Sequence, residues 1–200
     1  MDNEKKVEKA FIKDIDEHVM EIIKDDGVYR NIKCQQPGTY NLYFNITTWP
    51  GYLAITGDMG DYVFSRVDDM FTFFRRDELK INSGYWAEKV KAESVYGGGI
   101  AKFSVEEFES SVLSHARCWL DLEEGDEIPK DMMSEIDCLI GCEDEYDCVD
   151  SIRRFSSTEI DFDDFWETSC DKLTYHYLWC CYAIVWTIQQ YDAVNPGADA

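Results

Sequence analysis

The residues best equipped for chemistry in this chain are its carboxylates. There are 41 Asp and Glu against 19 Lys and Arg, a formal charge of −22 over 200 residues. Their distribution is uneven: from Asp121 to Asp171 there are 19 acidic residues and 3 basic ones (Lys130, Arg153, Arg154), a net −16 in 51 positions. Groups such as Glu143/Asp144/Glu145 and Asp161/Asp163/Asp164 suit divalent-metal hydrolysis only if carboxylates converge from different elements, and spacing alone does not show convergence. A calcium loop needs acids at regular loop positions and a distal Glu, a register that 143–150 lacks.

The remaining chemistry-bearing motifs are weaker. Gly57-Asp58-Met59-Gly60-Asp61 lacks the Lys and the strand-loop-helix setting of a phosphate cradle, and is expected to be a hairpin turn using glycine at positive φ. Cys138, Cys142 and Cys148, with Cys118 and His115 upstream, lack the two tight ligand pairs of a structural zinc site; buried thiols acting as small hydrophobes are expected instead. Cys180 and Cys181 lie in an apolar run and are assigned to the core. His18, His115 and His176 are scattered, with no nucleophile-elbow pattern nearby. The expectation is no catalytic residue, no metal and no cofactor.

The charge constrains the partner. A strongly acidic surface repels phosphate, so direct nucleic-acid binding and binding to an anionic membrane are both disfavoured. The longest apolar run, 177–188, is short for a bilayer span, and no secretory h-region follows the N-terminal MDNEKKVEKAF. A cytoplasmic protein with reduced thiols is expected. Its counterpart is a basic protein surface.

The elements that must position these groups follow from periodicity. Val7, Phe11, Ile15, Val19 and Ile22 fall on one helical stripe, predicting a helix over 4–25. Four strands follow (VYRNIKC, YNLYFNITTW, YLAITG, DYVFSR), separated by turn residues, which predicts an antiparallel meander. Asp68 or Asp69 should cap a short aromatic helix, and Ser83 another through Val90. Gly97-Gly98-Gly99 is the expected domain boundary. Beyond it Ser104 and Glu107 form a capping box for a helix bearing Val105, Phe108, Val112, Ala116 and Trp119. The acidic segment is interleaved with Met132, Met133, Ile136, Leu139, Ile140, Ile152, Phe155, Ile160, Phe162, Phe165 and Trp166, so it reads as amphipathic helix. The last helix, 171–191, is apolar nearly all round. The expected class is α+β: a sheet subdomain over 1–96, an acidic helical subdomain over 100–194, and a flexible tail over 195–200.

The stretch GYLAITGDMGDYVFSRVDDMFTFFR, followed by INSGYWAEKV, resembles a group of uncharacterised proteins encoded by bacteriophages and prophages. The resemblance covers 49–93 and implies a small accessory protein acting in a bacterial cytoplasm. In that setting an acidic protein without catalytic motifs is expected to inhibit host defence, in the manner of anti-CRISPR and anti-restriction proteins. Duplex DNA presents about one negative charge per 1.7 Å of axis, and CRISPR effector complexes hold nucleic acid in basic channels. The expected partner-binding residues are Asp121, Glu123, Glu124, Asp126, Glu127, Glu143, Asp144, Glu145, Asp147, Asp161, Asp163 and Asp164. One alternative is an inhibitor gripping through Trp49, Tyr52, Phe73, Phe74, Tyr85 and Trp86; another is a small metal-dependent enzyme. Oligomeric state stays open.

Overall fold

The computed structural model describes residues 3–123, 125–157 and 159–196, and omits the side chains of Tyr96 and Trp166. Of the expected features, Glu124, the Trp166 side chain and 197–200 of the tail lie outside the described residues. The elements run α1 (Asn3–Asp14), β1 (Val19–Asp26), β2 (Tyr29–Gln35), β3 (Phe44–Trp49), β4 (Tyr52–Gly57), β5 (Tyr62–Ser65), α2 (Met70–Phe74), α3 (Ser83–Ala87) and β6 (Val90–Glu93). They continue with β7 (Ala101–Phe103), α4 (Val105–Trp119), α5 (Lys130–Ile136), α6 (Glu145–Arg154), β8 (Asp171–Leu173) and α7 (Tyr175–Val194). Two compact units result, one of residues 1–100 with 173–200, the other of 101–172.

The first unit is α+β, with an antiparallel sheet in sequential order β1 to β6. The sheet has six strands where four were expected, and both additions correct a helix assignment. The N-terminal helix ends at Asp14; buried Ile15 follows in a turn, and the apolar residues from Val19 on belong to β1, where Met20 and Ile22 face the core while Val19 and Ile23 face out. Four apolar residues in five positions satisfy either period, and β-branched Val and Ile favour the strand. Asp26 and Tyr29 are paired across a tight hairpin with Gly27 at φ 59°. Val90 likewise lies in β6; Asn82, not Ser83, occupies the cap of α3, and the Ser83 hydroxyl donates to Glu4. Asp69 caps α2 as expected, accepting from the Phe71 N–H at 2.9 Å.

Register aligns Ile32, Ile46, Ile55 and Tyr62 in one fully buried row across four strands. The 57–61 segment is the expected hairpin turn, closed by Gly60 N–H to the Gly57 carbonyl at 3.1 Å. A side chain at Gly57 is excluded, since a Cβ there would lie 2.2 Å from the Tyr43 carbonyl oxygen.

The last helix belongs to this unit. The division at 97–99 put it with the acidic segment, but its side chains complete the first core, where Trp179 packs edge-on against Phe11 of α1 and Phe44 of β3. Tyr177 meets Tyr62, and Tyr191 meets Phe71. Packed by a helix, a sheet and α2 at once, α7 has no solvent stripe, which is why its sequence is apolar all round. Residues 171–173, expected as the start of this helix, form β8 instead. Cys180 and Cys181 are core residues as expected. Among the described residues, no helix is long and apolar enough to cross a membrane.

The second unit has its own core of Phe108, Val112 and Ala116 from α4, Met132 and Ile136 from α5, Cys148 and Ile152 from α6, with Leu139, Ile160, Phe162 and Phe165 from the connections. Ser104 caps α4 by accepting from the Glu107 N–H at 3.4 Å. The acidic segment is therefore less regular than the amphipathic helices expected: its described residues form two helices, short 3-10 turns and the connections between them.

Candidate functional site

The second unit holds 22 Asp and Glu against 6 Lys and Arg, so the whole of its net −16 is displayed by 72 residues. Eleven of the twelve expected partner-binding carboxylates are described, and all eleven are exposed. Two ion pairs of this unit, Lys172–Glu106 at 2.8 Å and Arg154–Asp150 at 2.9 Å, involve none of the eleven.

The loop after α4 is built by its own backbone. Leu122 N–H bonds to the Arg117 carbonyl and Asp121 N–H to that of Cys118, the paired bonds of a Schellman ending, with Asp121 in the left-handed region at φ 52°. Arg117 then donates to the carbonyls of Glu123 and Asp126, each at 2.6 Å, and Asp126 accepts from the Glu123 N–H at 3.0 Å. These bonds hold Glu123 and Asp126 to the end of α4, beside the exposed Asp121 and Glu127.

Glu143 and Asp144 precede α6. Asp144 caps it, accepting from the Asp147 N–H at 2.9 Å, and Glu145 and Asp147 occupy its first turn, where the helix dipole favours negative charge. A bond from Gly141 N–H to Glu109 at 2.8 Å anchors this connection to α4. Asp161 accepts from the Asp163 N–H at 2.8 Å, and Asp163 and Asp164 open a 3-10 turn over Asp163–Glu167. Three of the carboxylates thus hold local structure (Asp126, Asp144, Asp161), whereas Glu123, Glu127, Glu143 and Asp164 offer side chains with no such duty among the described hydrogen bonds.

Two large aromatics stand exposed among the acids, and sequence reasoning did not single out either as functional. Trp119, at the end of α4, is 52% exposed, and Tyr146 of α6 is 74% exposed. Tyr146 was legible: it lies between Glu145 and Asp147, about 200° around the helix from the buried Cys148. Trp119 continues the apolar stripe of α4 by spacing, but the stripe runs past the core there. Trp119 borders a cleft of about 720 Å³ also lined by Phe155, Glu159, Asp161, Phe162 and Asp163. The indole N–H donates to the Glu159 carbonyl at 2.9 Å, and the His115 ring stacks near Trp119 with centroids 6.3 Å apart.

Among the described residues no three His, Cys, Asp or Glu side chains are grouped to hold a metal ion. Cys118 and Cys138 are exposed, not buried as expected; Cys148 is buried, and burial, with Cys142 beside it, pushes its thiol up to about 12. His18 lies in the loop before β1 with Nε2 3.0 Å from the Leu42 carbonyl, and His115 is held by the Asp161 carbonyl, so both rings have structural partners. Of the aromatic set proposed as an alternative grip, Phe74 and Trp86 are fully buried in the first core and Phe73 packs against it, leaving Tyr52 and Tyr85 partly exposed and Trp49 half-buried, stacked on Tyr52. Comparison with protein-family models, with curated proteins and with solved structures found no match for the chain.

Proposed function

We propose that the chain is a phage-encoded inhibitor that binds a host nucleic-acid-binding defence complex, of the CRISPR effector or restriction type, and occupies its basic surface in place of nucleic acid. The observation supporting this is the simultaneous exposure of eleven carboxylates on a small unit that has its own core. Rigid display matters: charges fixed on capped helices and closed loops lose little freedom on binding, so more of the Coulomb attraction survives as affinity. Exposed Trp119 and Tyr146 add the residue types enriched at protein interface hot spots. The phage setting rests on the resemblance over 49–93.

Four charge reversals, Glu123→Lys, Glu127→Lys, Glu143→Lys and Asp164→Lys, test the reading without removing any side chain that accepts a capping or turn-closing hydrogen bond described above. Displacement of fluorescent duplex DNA from purified effector and restriction complexes is the readout. At roughly 0.7 kcal/mol per exposed charge, the four together predict about a 100-fold loss of potency. Undiminished displacement by a folded quadruple variant contradicts the reading.

A further inference from the structure

The cleft beside Trp119 has a composition that selects among cations. Trp119, half exposed, lines it, and its indole N–H is already bound to the Glu159 carbonyl at 2.9 Å. Phe155 and Phe162 contribute apolar surface, and Glu159, Asp161 and Asp163 supply carboxylates; Arg153 also borders it. The volume of about 720 Å³ leaves room for a long side chain. Phosphate is disfavoured by the carboxylates, and an apolar side chain would desolvate them without supplying a donor. A guanidinium satisfies both surfaces, since its plane stacks on an indole while its N–H fork meets carboxylates; an ammonium lacks the plane and is more strongly hydrated.

We infer that this cleft is the seat of an arginine side chain of the basic protein partner, an inference that rests on the acidic-surface reading above and names its anchor point. The cleft orders the interface: surrounding carboxylates attract any basic surface, and the cleft requires an arginine at one place on it.

The test uses the full chain labelled with ¹⁵N, the Trp119 indole resonance being assigned by its loss in Trp119→Phe. Blocked six-residue peptides alternating Gly with Arg, Lys or Ser are titrated in turn. A saturable shift of the Trp119 resonance with the Arg peptide, at least about threefold tighter than with the Lys peptide, and weakened at least threefold in Glu159→Gln/Asp163→Asn, is expected. A stationary Trp119 resonance while backbone amides of 143–147 respond overturns the anchor but leaves the acidic-surface reading standing, and equal response to Lys and Arg overturns the arginine assignment. Conversely, a responsive cleft in a protein that displaces no DNA from any basic complex supports the seat and removes the nucleic-acid mimicry.

Discussion

His115 Nε2 lies 2.7 Å from the carbonyl oxygen of Asp161. A carbonyl can only accept, so the Nε2 atom bears the proton. The same ring packs on Phe162 with centroids 4.6 Å apart. One side chain of α4 thus fixes both the backbone and the aromatic floor of the acidic segment 160–163. Replacing His115 by Ala removes one bond worth about 1 kcal/mol net, so the Asp163 amide should exchange roughly five- to tenfold faster by NMR. Amides of α6, such as Ile152, should not change. Unchanged exchange at Asp163 would show that the segment is held by other means.

The acidic residues divide into those that build the unit and those that only display charge. Asp144→Ala removes the cap of α6 and should cost about 1 kcal/mol in urea unfolding, whereas Glu143→Ala should lie within about 0.5 kcal/mol of the parent. Equal costs for the two would erase the distinction on which the choice of reversal sites depends.

In the first unit Arg30, only 6% exposed, makes a two-point pair with Asp69 at 2.8 and 2.9 Å and lies over the Phe71 ring. Burial disfavours the Asp69 anion, but the Arg30 fork and the Phe71 N–H outweigh it and hold the carboxyl below the usual carboxylate range. Its folded value is depressed, so its contribution is present above the unfolded value of about 3.9 and disappears as pH falls through the folded one. Asp69→Asn leaves the buried Arg30 with only its long 3.9 Å approach to Asp25 as an ion pair, and should destabilise by about 3 kcal/mol at pH 7. Measured by urea unfolding at pH 7, 5 and 3, the gap between parent and variant should narrow only at the lowest pH; a gap that widens with acid contradicts the assignment.

Thiol accessibility separates the cysteines. Cys118 and Cys138 are exposed, while Cys34, Cys180 and Cys181 are buried, with the Cys34 thiol pushed up to about 12 by burial. Brief maleimide labelling of the folded chain at pH 7, followed by peptide mass spectrometry, should modify Cys118 and Cys138 first. Cys34, Cys180 and Cys181 should react only after unfolding, because the thiolate is the nucleophile and burial opposes its formation.

Sequence periodicity read the α+β class, the middle strands, the Asp69 and Ser104 caps and the buried character of the last helix, because each depends on local pattern. It failed where a pattern fits two periods: Val19 to Ile23 serves as strand or helix, and tertiary pairing with β2 decides. It also failed where chain order and spatial order part company. Nothing local to Tyr177 or Trp179 says that the first packs on Tyr62 and the second on Phe11 and Phe44, all more than a hundred residues earlier. For the candidate site, the exposure of the carboxylates followed from their alternation with apolar residues. The cleft did not, because it depends on Trp119 reaching Glu159 across a long separation.

The central claim is that charge on the second unit replaces nucleic acid on a basic surface, and salt dependence tests it most directly. The apparent affinity of the chain for a defence complex whose DNA it displaces should be measured from 50 to 400 mM NaCl. Charge-driven displacement predicts a steep fall in affinity with salt, about tenfold or more across that range, since exposed charges are screened beyond a Debye length of about 10 Å at 0.1 M. Affinity that holds constant with salt, or no displacement of DNA at any concentration of salt, would contradict it.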